Sequence, residues 1–236
     1  MTSRQSGEGR GRVQRAKQVS ESIELGIILA LVGGFMDVYS YMGRGGVFAN
    51  AQTGNILLTG VHLSQGEFGL AASFLLPVLS FAVGIMVSDL VHVRFASAIH
   101  WRQVTVVAEA LILLGVGFID ARYNLAANCL TSLACGMQVE SFRKIHGRGV
   151  ATTMCIGNLR SALQNVDDYI ITHKRGFLVN GLLYFGVIVC FVAGAILGNW
   201  CLERFGLQAI SLCSLLLFVA FVLMFSDREA RGADAL

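Results

Sequence analysis

Charged side chains are scarce in this sequence. Asp, Glu, Lys and Arg make up 14% of its residues, whereas soluble domains carry about 25%. Proline is almost missing too, with Pro77 as its only instance, while 55% of the residues are hydrophobic. This balance disfavours an ordinary soluble domain and is typical of a protein embedded in a bilayer.

Signatures of catalysis are missing as well. The sequence has no H-E-x-x-H zinc motif, no G-x-S-x-G turn, no phosphate-binding loop and no dinucleotide fingerprint leading into a soluble α/β unit. Its six cysteines lie in or beside apolar blocks without C-x-x-C spacing, which indicates small buried side chains rather than metal ligands. We therefore expect neither an enzyme nor a bound metal or cofactor.

The hydrophobic residues form eight blocks, several of them close to the roughly 20 residues that a helix needs to cross a bilayer. They are too long and too continuously apolar for barrel strands, so we predict an all-α, polytopic membrane protein. The blocks are residues 23–41, 47–63, 70–93, 104–119, 123–142, 150–166, 177–200 and 207–225. Residues 1–20 are basic and polar, and we predict a disordered cytoplasmic tail near anionic lipid, with no nucleic-acid partner.

The second half of the sequence repeats features of the first half. In one ungapped superposition the matched residues are glycines, an asparagine and a membrane-embedded carboxylate: Gly33 with Gly136, Asp37 with Glu140, Gly46 with Gly149, Gly54 with Gly157, and Asn55 with Asn158. We predict two membrane repeats, residues 21–120 and 121–226, and a short cytoplasmic tail at residues 227–236.

Positive side chains indicate the topology, because they concentrate on the cytoplasmic side. If the second and sixth blocks enter the membrane and return, only Arg44, Arg122 and Arg204 among the basic residues outside the sixth block lie on the far side. These two blocks are also short and polar at their N-terminal ends. We therefore predict six full spans and two re-entrant half-helices in inverted repeats, with both termini cytoplasmic.

Polar residues concentrate where the two half-helices would start. A half-helix that begins inside the membrane directs unpaired N–H groups and a positive dipole end inward. A carboxylate at that depth marks a path for an ion, a proton or a substrate. The candidate substrate- or ion-binding residues are Asp37, Asn50, Thr53, Gly54, Asn55, Glu140, Gly157, Asn158 and Arg160.

Structural roles would explain the same residues. Asp37 and Glu140 could lie at span ends and face water, and the Gly–Asn pairs could be points of close helix packing. Arg160 could pair with Glu140 or with Asp167. Glu109, well inside the fourth block, is a further ionisable candidate.

The stretch between Gly33 and Gly60 reads GGFMDVYSYMGRGGVFANAQTGNILLTG. Its G-x-x-D, followed by G-G-V-F-x-x-x-x-T-G-N, resembles the signature of the YoaK-like family of bacterial inner-membrane proteins of unknown function. The resemblance covers residues 23–226. It implies a multispanning membrane domain of this length, without an established substrate or catalytic residue.

The pattern as a whole favours a secondary transporter or channel for a small polar or ionic solute. The alternative is a non-transporting membrane scaffold that binds a partner through glycine-rich faces and the basic tail. Gly194-x-x-x-Gly198 is a small-residue packing motif, which would serve either an internal helix contact or a homo-oligomer.

Overall fold

The computed structural model describes residues 23–95, 101–145 and 148–233, so the predicted tail at residues 1–20 lies outside it. The described residues form eight α-helices: α1 Ile23–Gly43, α2 Gln52–Ser64, α3 Phe68–Phe95, α4 Trp101–Val116, α5 Asn124–Ser141, α6 Cys155–Thr172, α7 Arg175–Phe205 and α8 Ser211–Ala233. Short 3-10 turns precede α5 and α8, and β1 Lys144–Ile145 pairs antiparallel with β2 Arg148–Gly149. The helical class predicted from the sequence is confirmed.

Several helix boundaries differ from the apolar blocks. The second block contains an irregular stretch before α2 begins at Gln52, and α6 begins at Cys155 and continues past the end of the sixth block. The third block remains one helix through Pro77. Residues 227–233, expected as a tail, continue α8.

Three stretches are long and apolar enough to cross a membrane: Ile23–Gly43, Phe68–Arg94 and Arg175–Met224, of which the last includes α7 and most of α8. Helices α4 and α5 are shorter, with 16 and 18 residues, or about 24 and 27 Å at 1.5 Å per residue. Large apolar side chains such as Met86, Val189 and Ile196 are exposed on α3 and α7. Such a surface is stable when lipid covers it.

The helices pair mainly across the two halves of the chain. α1 packs along α7 and α3 along α5, while α2 lies on α3, α6 on α7, and α4 on α8. If α1, α2, α3 and α4 are exchanged in order with α5, α6, α7 and α8, the α1–α7 contact becomes the α5–α3 contact. The α2–α3 contact becomes the α6–α7 contact, and the α4–α8 contact stays the same.

The crossing of α1 with α7 and the crossing of α3 with α5 have the same kind of packing. At each of them, a Cβ added to a glycine would overlap a carbonyl oxygen of the facing helix: Gly34 with Phe191, Gly194 with Leu31, Gly84 with Leu133, and Gly136 with Phe81. The sequence has Leu-x-x-Gly in α1 and α5, and Phe-x-x-Gly in α3 and α7. This packing makes Gly34, rather than Gly33, the counterpart of Gly136. The counterpart of Asp37 is then Val139 rather than Glu140.

Helices α1 and α5 run in opposite directions where they touch. The Gln138 side chain donates a hydrogen bond to the Leu29 carbonyl (3.0 Å), and the Cys135 thiol approaches the Met36 sulfur (3.6 Å). Later positions on α1 therefore meet earlier positions on α5.

Helices α3 and α5, in contrast, run in the same direction. Gly84 meets Leu133, and one turn further along α3 the Ser88 hydroxyl bonds the Ser141 hydroxyl at 2.8 Å. It follows that α1 and α3, which flank α2 in the sequence, point in opposite directions.

Arg44 ties together one end of the bundle. Its side chain is 1% exposed, and each of its N–H groups has an acceptor: the Tyr39 hydroxyl, the Val116 and Asp120 carbonyls, and the Asn124 side chain. The Tyr39 hydroxyl in turn donates to the Leu207 carbonyl at 3.0 Å. The sequence analysis placed Arg44 in an outer loop, and the structure buries it as a link between α1, α4, α5 and the turn before α8.

Candidate functional site

The chain turns back on itself after α1. Gly45 and Gly46 have φ angles of 90° and 78°, which favour glycine because other residues are strained there. The backbone N–H of Asn50 then reaches the Asp37 carboxylate at 2.7 Å, and the Asn50 side chain donates to the Gly33 carbonyl at 3.0 Å. Gly33 lies about 15 Å along α1 from its end, so α2 starts deep in the bundle.

The loop before α6 reaches the same place from the other half. Thr152 accepts a hydrogen bond from Gln138 at 3.2 Å. A Cβ added to Gly33 would lie 3.1 Å from the Thr153 methyl carbon and 3.2 Å from the Thr152 carbonyl oxygen. Both loop tips therefore meet at Gly33. We call the set of Gly33, Asp37, Asn50, Thr152 and Thr153 the loop junction.

Two oxygen atoms of the loop junction are buried without a partner. Asn50 Oδ1 and Thr153 Oγ1 have no hydrogen-bond partner among the described residues, and their side chains belong to residues that are 2% and 3% exposed. Buried polar atoms are usually paired with protein or water. The two loop tips thus contribute one unpaired acceptor and one unpaired hydroxyl to the centre of the bundle.

The starts of α2 and α6 differ in charge. Asp37 accepts hydrogen bonds from the N–H groups of Asn50 (2.7 Å) and Ala51 (3.4 Å), so its carboxylate offsets the positive end of α2. Helix α6 has no side-chain cap at Met154, and Val139 stands where α1 has Asp37. The loop junction therefore combines the Asp37 carboxylate with a helix start, that of α6, which has no side-chain cap and no carboxylate from α5. A small solute with donor and acceptor groups, or with both charges, suits this arrangement.

Asn55 and Asn158 hold the two loop tips in shape. Asn55 accepts from the N–H of Phe48 (3.0 Å) and donates to its carbonyl (2.8 Å). Asn158 does the same with Ala151, at 3.3 and 2.6 Å. Each asparagine thus uses its oxygen and one N–H on the backbone of its own loop, and it positions the loop junction in this way.

Glu140 does not join Asp37 at the loop junction. Its side chain pairs with Arg143 at 3.1 Å, next to the end of α5. Gln138, two residues before Glu140, contacts Leu29 of α1. Leu29 lies about 12 Å along α1 from Asp37. The expected pair of facing carboxylates is therefore replaced by Asp37 alone.

The remaining predicted residues lie outside the loop junction. Thr53, Gly157 and Arg160 are exposed, and the described part of the chain shows no ion pair of Arg160 with Glu140 or Asp167. Gly54 packs on Phe48, since an added Cβ would lie 2.9 Å from the ring. These four residues lie in or beside α2 and α6.

Thr152, Thr153 and Gln138 were missed by the sequence analysis. The superposition that matches Asn55 with Asn158 also matches Asn50 with Thr153, so the repeat contained the signal. The predicted set contained Thr53 of the second block but neither threonine of the sixth block.

Gly194 and Gly198 make an internal contact. Gly194 meets the Leu31 carbonyl and Gly198 meets Phe35, both on α1. Of the two uses left open by the sequence, the structure shows the internal helix contact. Among the residues that the structure describes, no group of His, Cys, Asp and Glu is arranged to hold a metal ion.

Long apolar helices, apolar exposed faces and a polar loop junction at the centre define a helical membrane protein. The chain belongs to the family described as "Protein of unknown function (DUF1275)", whose profile matches residues 25–223. A relative, the "UPF0700 transmembrane protein YoaK" of Bacillus subtilis (strain 168), is 25% identical over 181 residues, which cover 72% of this chain and 79% of the relative. No solved structure matches the chain. The resemblance to the YoaK-like family is thereby confirmed.

Proposed function

We propose that the protein is a secondary transporter or channel for a small polar or ionic solute, with the loop junction as its binding site. The observation that carries the proposal is the meeting of two loop tips at Gly33, where Asn50 Oδ1 and Thr153 Oγ1 are buried without partners. Irregular backbone at membrane depth is tolerated where it lines a cavity or lies inside protein. Broken helices that meet at the centre are typical of transporters.

The helix directions support six spans with two half-helices. α1 and α3 point in opposite directions, and the chain between them returns to Asp37 before α2 begins. A full crossing by α2 would instead make α1 and α3 parallel. The opposite directions of α1 and α5 likewise support inverted repeats.

The contacts at the bundle ends support the same topology. One end joins Arg44 to Val116 and Asn124. The other joins Ser88 and Arg102 to Ser141. In the proposed arrangement the Arg44 end is periplasmic, and the Ser141 end is cytoplasmic together with both termini of the chain.

Labelling of single cysteines with a membrane-impermeant thiol reagent in intact cells tests the topology. Six spans place Gln65 and Phe118 outside and Arg143 inside, whereas eight crossings reverse all three. Gln208 lies outside and His173 inside in both arrangements, so Gln208→Cys and His173→Cys are matched controls. Labelling of Arg143→Cys with protection of Gln65→Cys and Phe118→Cys would reject the half-helices.

Binding at the loop junction is tested by thermal unfolding of the purified protein with a panel of inorganic ions, amino acids and small carboxylic acids. A compound that stabilises wild type should lose its effect in Asp37→Asn and Thr153→Val and keep it in Glu140→Gln. Its uptake into proteoliposomes then tests transport. If no compound binds or moves, while a partner protein is captured through residues 1–20, the membrane scaffold becomes the better description.

A further inference from the structure

Glu109 is an acidic side chain that the loop junction does not use. It lies in the middle of α4 and is 0% exposed, and neither carboxyl oxygen has a hydrogen-bond partner among the described residues. Acidic side chains are almost never fully buried unless they are paired. Glu109 therefore needs an explanation that packing alone does not give.

Among the described residues, no basic side chain donates a hydrogen bond to either carboxyl oxygen of Glu109. The Cys135 thiol on α5 and the Cys213 thiol on α8 interact electrostatically with Glu109, and Arg102 lies about 10 Å before it along α4. Asp37 on α1 acts on the same Cys135. The charged side chains of α3 nearest to α4 lie at its C-terminal end, where His92 stacks on Trp101, about 12 Å along α4 from Glu109.

We propose that Glu109 is a proton-binding site, whose carboxyl group carries a proton in this conformation and releases it when the packing around α4 opens to water. An ionised carboxylate without a countercharge or a donor is costly in such a core, and binding a proton removes that cost. Buried carboxylates of this kind form proton relays in membrane transporters. Coupling of this proton to solute movement rests on the function proposed above.

Asp37 provides an internal contrast to Glu109. Its carboxylate accepts two backbone N–H groups at the start of α2, which stabilise the ionised form. The two acids thus differ in surroundings and role, although both interact with Cys135. In this arrangement Glu109 binds the proton, and Asp37 shapes the loop junction.

Infrared spectroscopy of the full chain, purified in a detergent without ester groups, tests the proposal. At neutral pH, wild type and Asp37→Asn should show the C=O band of a protonated carboxyl, with its isotope shift in deuterated water. Glu109→Gln should lose this band while keeping the fold, because it replaces one neutral group by another of the same size. If Glu109→Gln fails to fold, Glu109→Asp should shift the band. An unchanged band in either variant, or no band in wild type, overturns the proposal.

The infrared test of Glu109 and the transport test of the proposed function can fail independently. If Glu109 is protonated but the protein moves no solute, the proton site is supported and the transport function is rejected. A missing band in a protein that moves a solute rejects the proton site and leaves the loop junction as the transport site.

Discussion

Asn55 and Asn158 make the same two hydrogen bonds, each to the backbone N–H and carbonyl of a residue at the opposite side of its own loop. The partners are Phe48 and Ala151. Asn55 and Asn158 thus have the same structural role in the two halves of the chain. Loop closure explains why both halves of the sequence have an asparagine at this position.

Replacing either asparagine by alanine should destabilise the protein to a similar extent. Each change leaves a backbone N–H and a carbonyl without their partner, at a cost of about 1–3 kcal/mol. Thermal unfolding in detergent measures the loss. Asn165→Ala is the control, because Asn165 makes one bond to the Ser161 carbonyl within α6. An unfolding temperature of Asn55→Ala equal to that of Asn165→Ala would contradict the closing role.

Asp37→Asn should reduce both stability and solute binding. It keeps an oxygen for the Asn50 and Ala51 N–H groups but removes the charge, and charge-assisted hydrogen bonds are about twice as strong as neutral ones. Thermal unfolding with and without a stabilising compound separates the two effects.

Glu140→Gln is the matched control for Asp37→Asn. The Arg143 partner of Glu140 is 64% exposed, so the pair contributes about 0–1 kcal/mol, and binding should not change. Equal loss of binding in the two variants would show that the acids act together after all.

Gly34→Ala and Gly136→Ala should both disrupt helix packing. The added methyl groups overlap the carbonyl oxygens of Phe191 and Phe81, and overpacking costs about 1–3 kcal/mol or more. Gly186→Ala on α7 is the control, because its Cβ would have no neighbour within 4 Å. We expect reduced yield and a lower unfolding temperature for the first two variants only. Wild-type stability in Gly34→Ala would mean that α1 and α7 are further apart than described.

Arg44→Lys should destabilise the bundle although it keeps the charge. A lysine has three donors at one point and cannot reach all the acceptors that the guanidinium joins. Each acceptor left unpaired costs about 1–3 kcal/mol. Arg122→Lys is the control, since Arg122 is exposed and pairs with Asp120, and it should unfold like wild type. Equal unfolding temperatures for the two variants would reject Arg44 as a link between helices.

The sequence was sufficient to predict the helical class and the approximate position of each helix, because long apolar blocks in a membrane form helices unless they alternate as barrel strands do. It also predicted that the blocks containing α2 and α6 are polar at their N-terminal ends. The charge rule and the repeat together placed Asp37, Asn50, Asn55 and Asn158 in the region where the structure has them. These signals are local, so a single sequence carries them.

Contacts between distant residues could not be predicted in the same way. Nothing near Arg44 in the sequence indicates that Tyr39, Val116 and Asn124 surround it, since these contacts depend on the packing of four elements. The ungapped superposition paired Asp37 with Glu140, whereas the helix crossing shifts that register by one residue. A shift of one residue on a helix turns a side chain by about 100°, which is enough to direct Glu140 to Arg143.

The interleaved packing has a consequence for synthesis. α1 finds its main partner in α7 and α3 finds its partner in α5, so neither half buries its own glycine faces. Until the ribosome has synthesised α5 and α7, Gly84 and Gly34 contact lipid instead of these partner helices. We therefore expect a chain truncated after α4 to be degraded by membrane proteases instead of forming a stable half-protein.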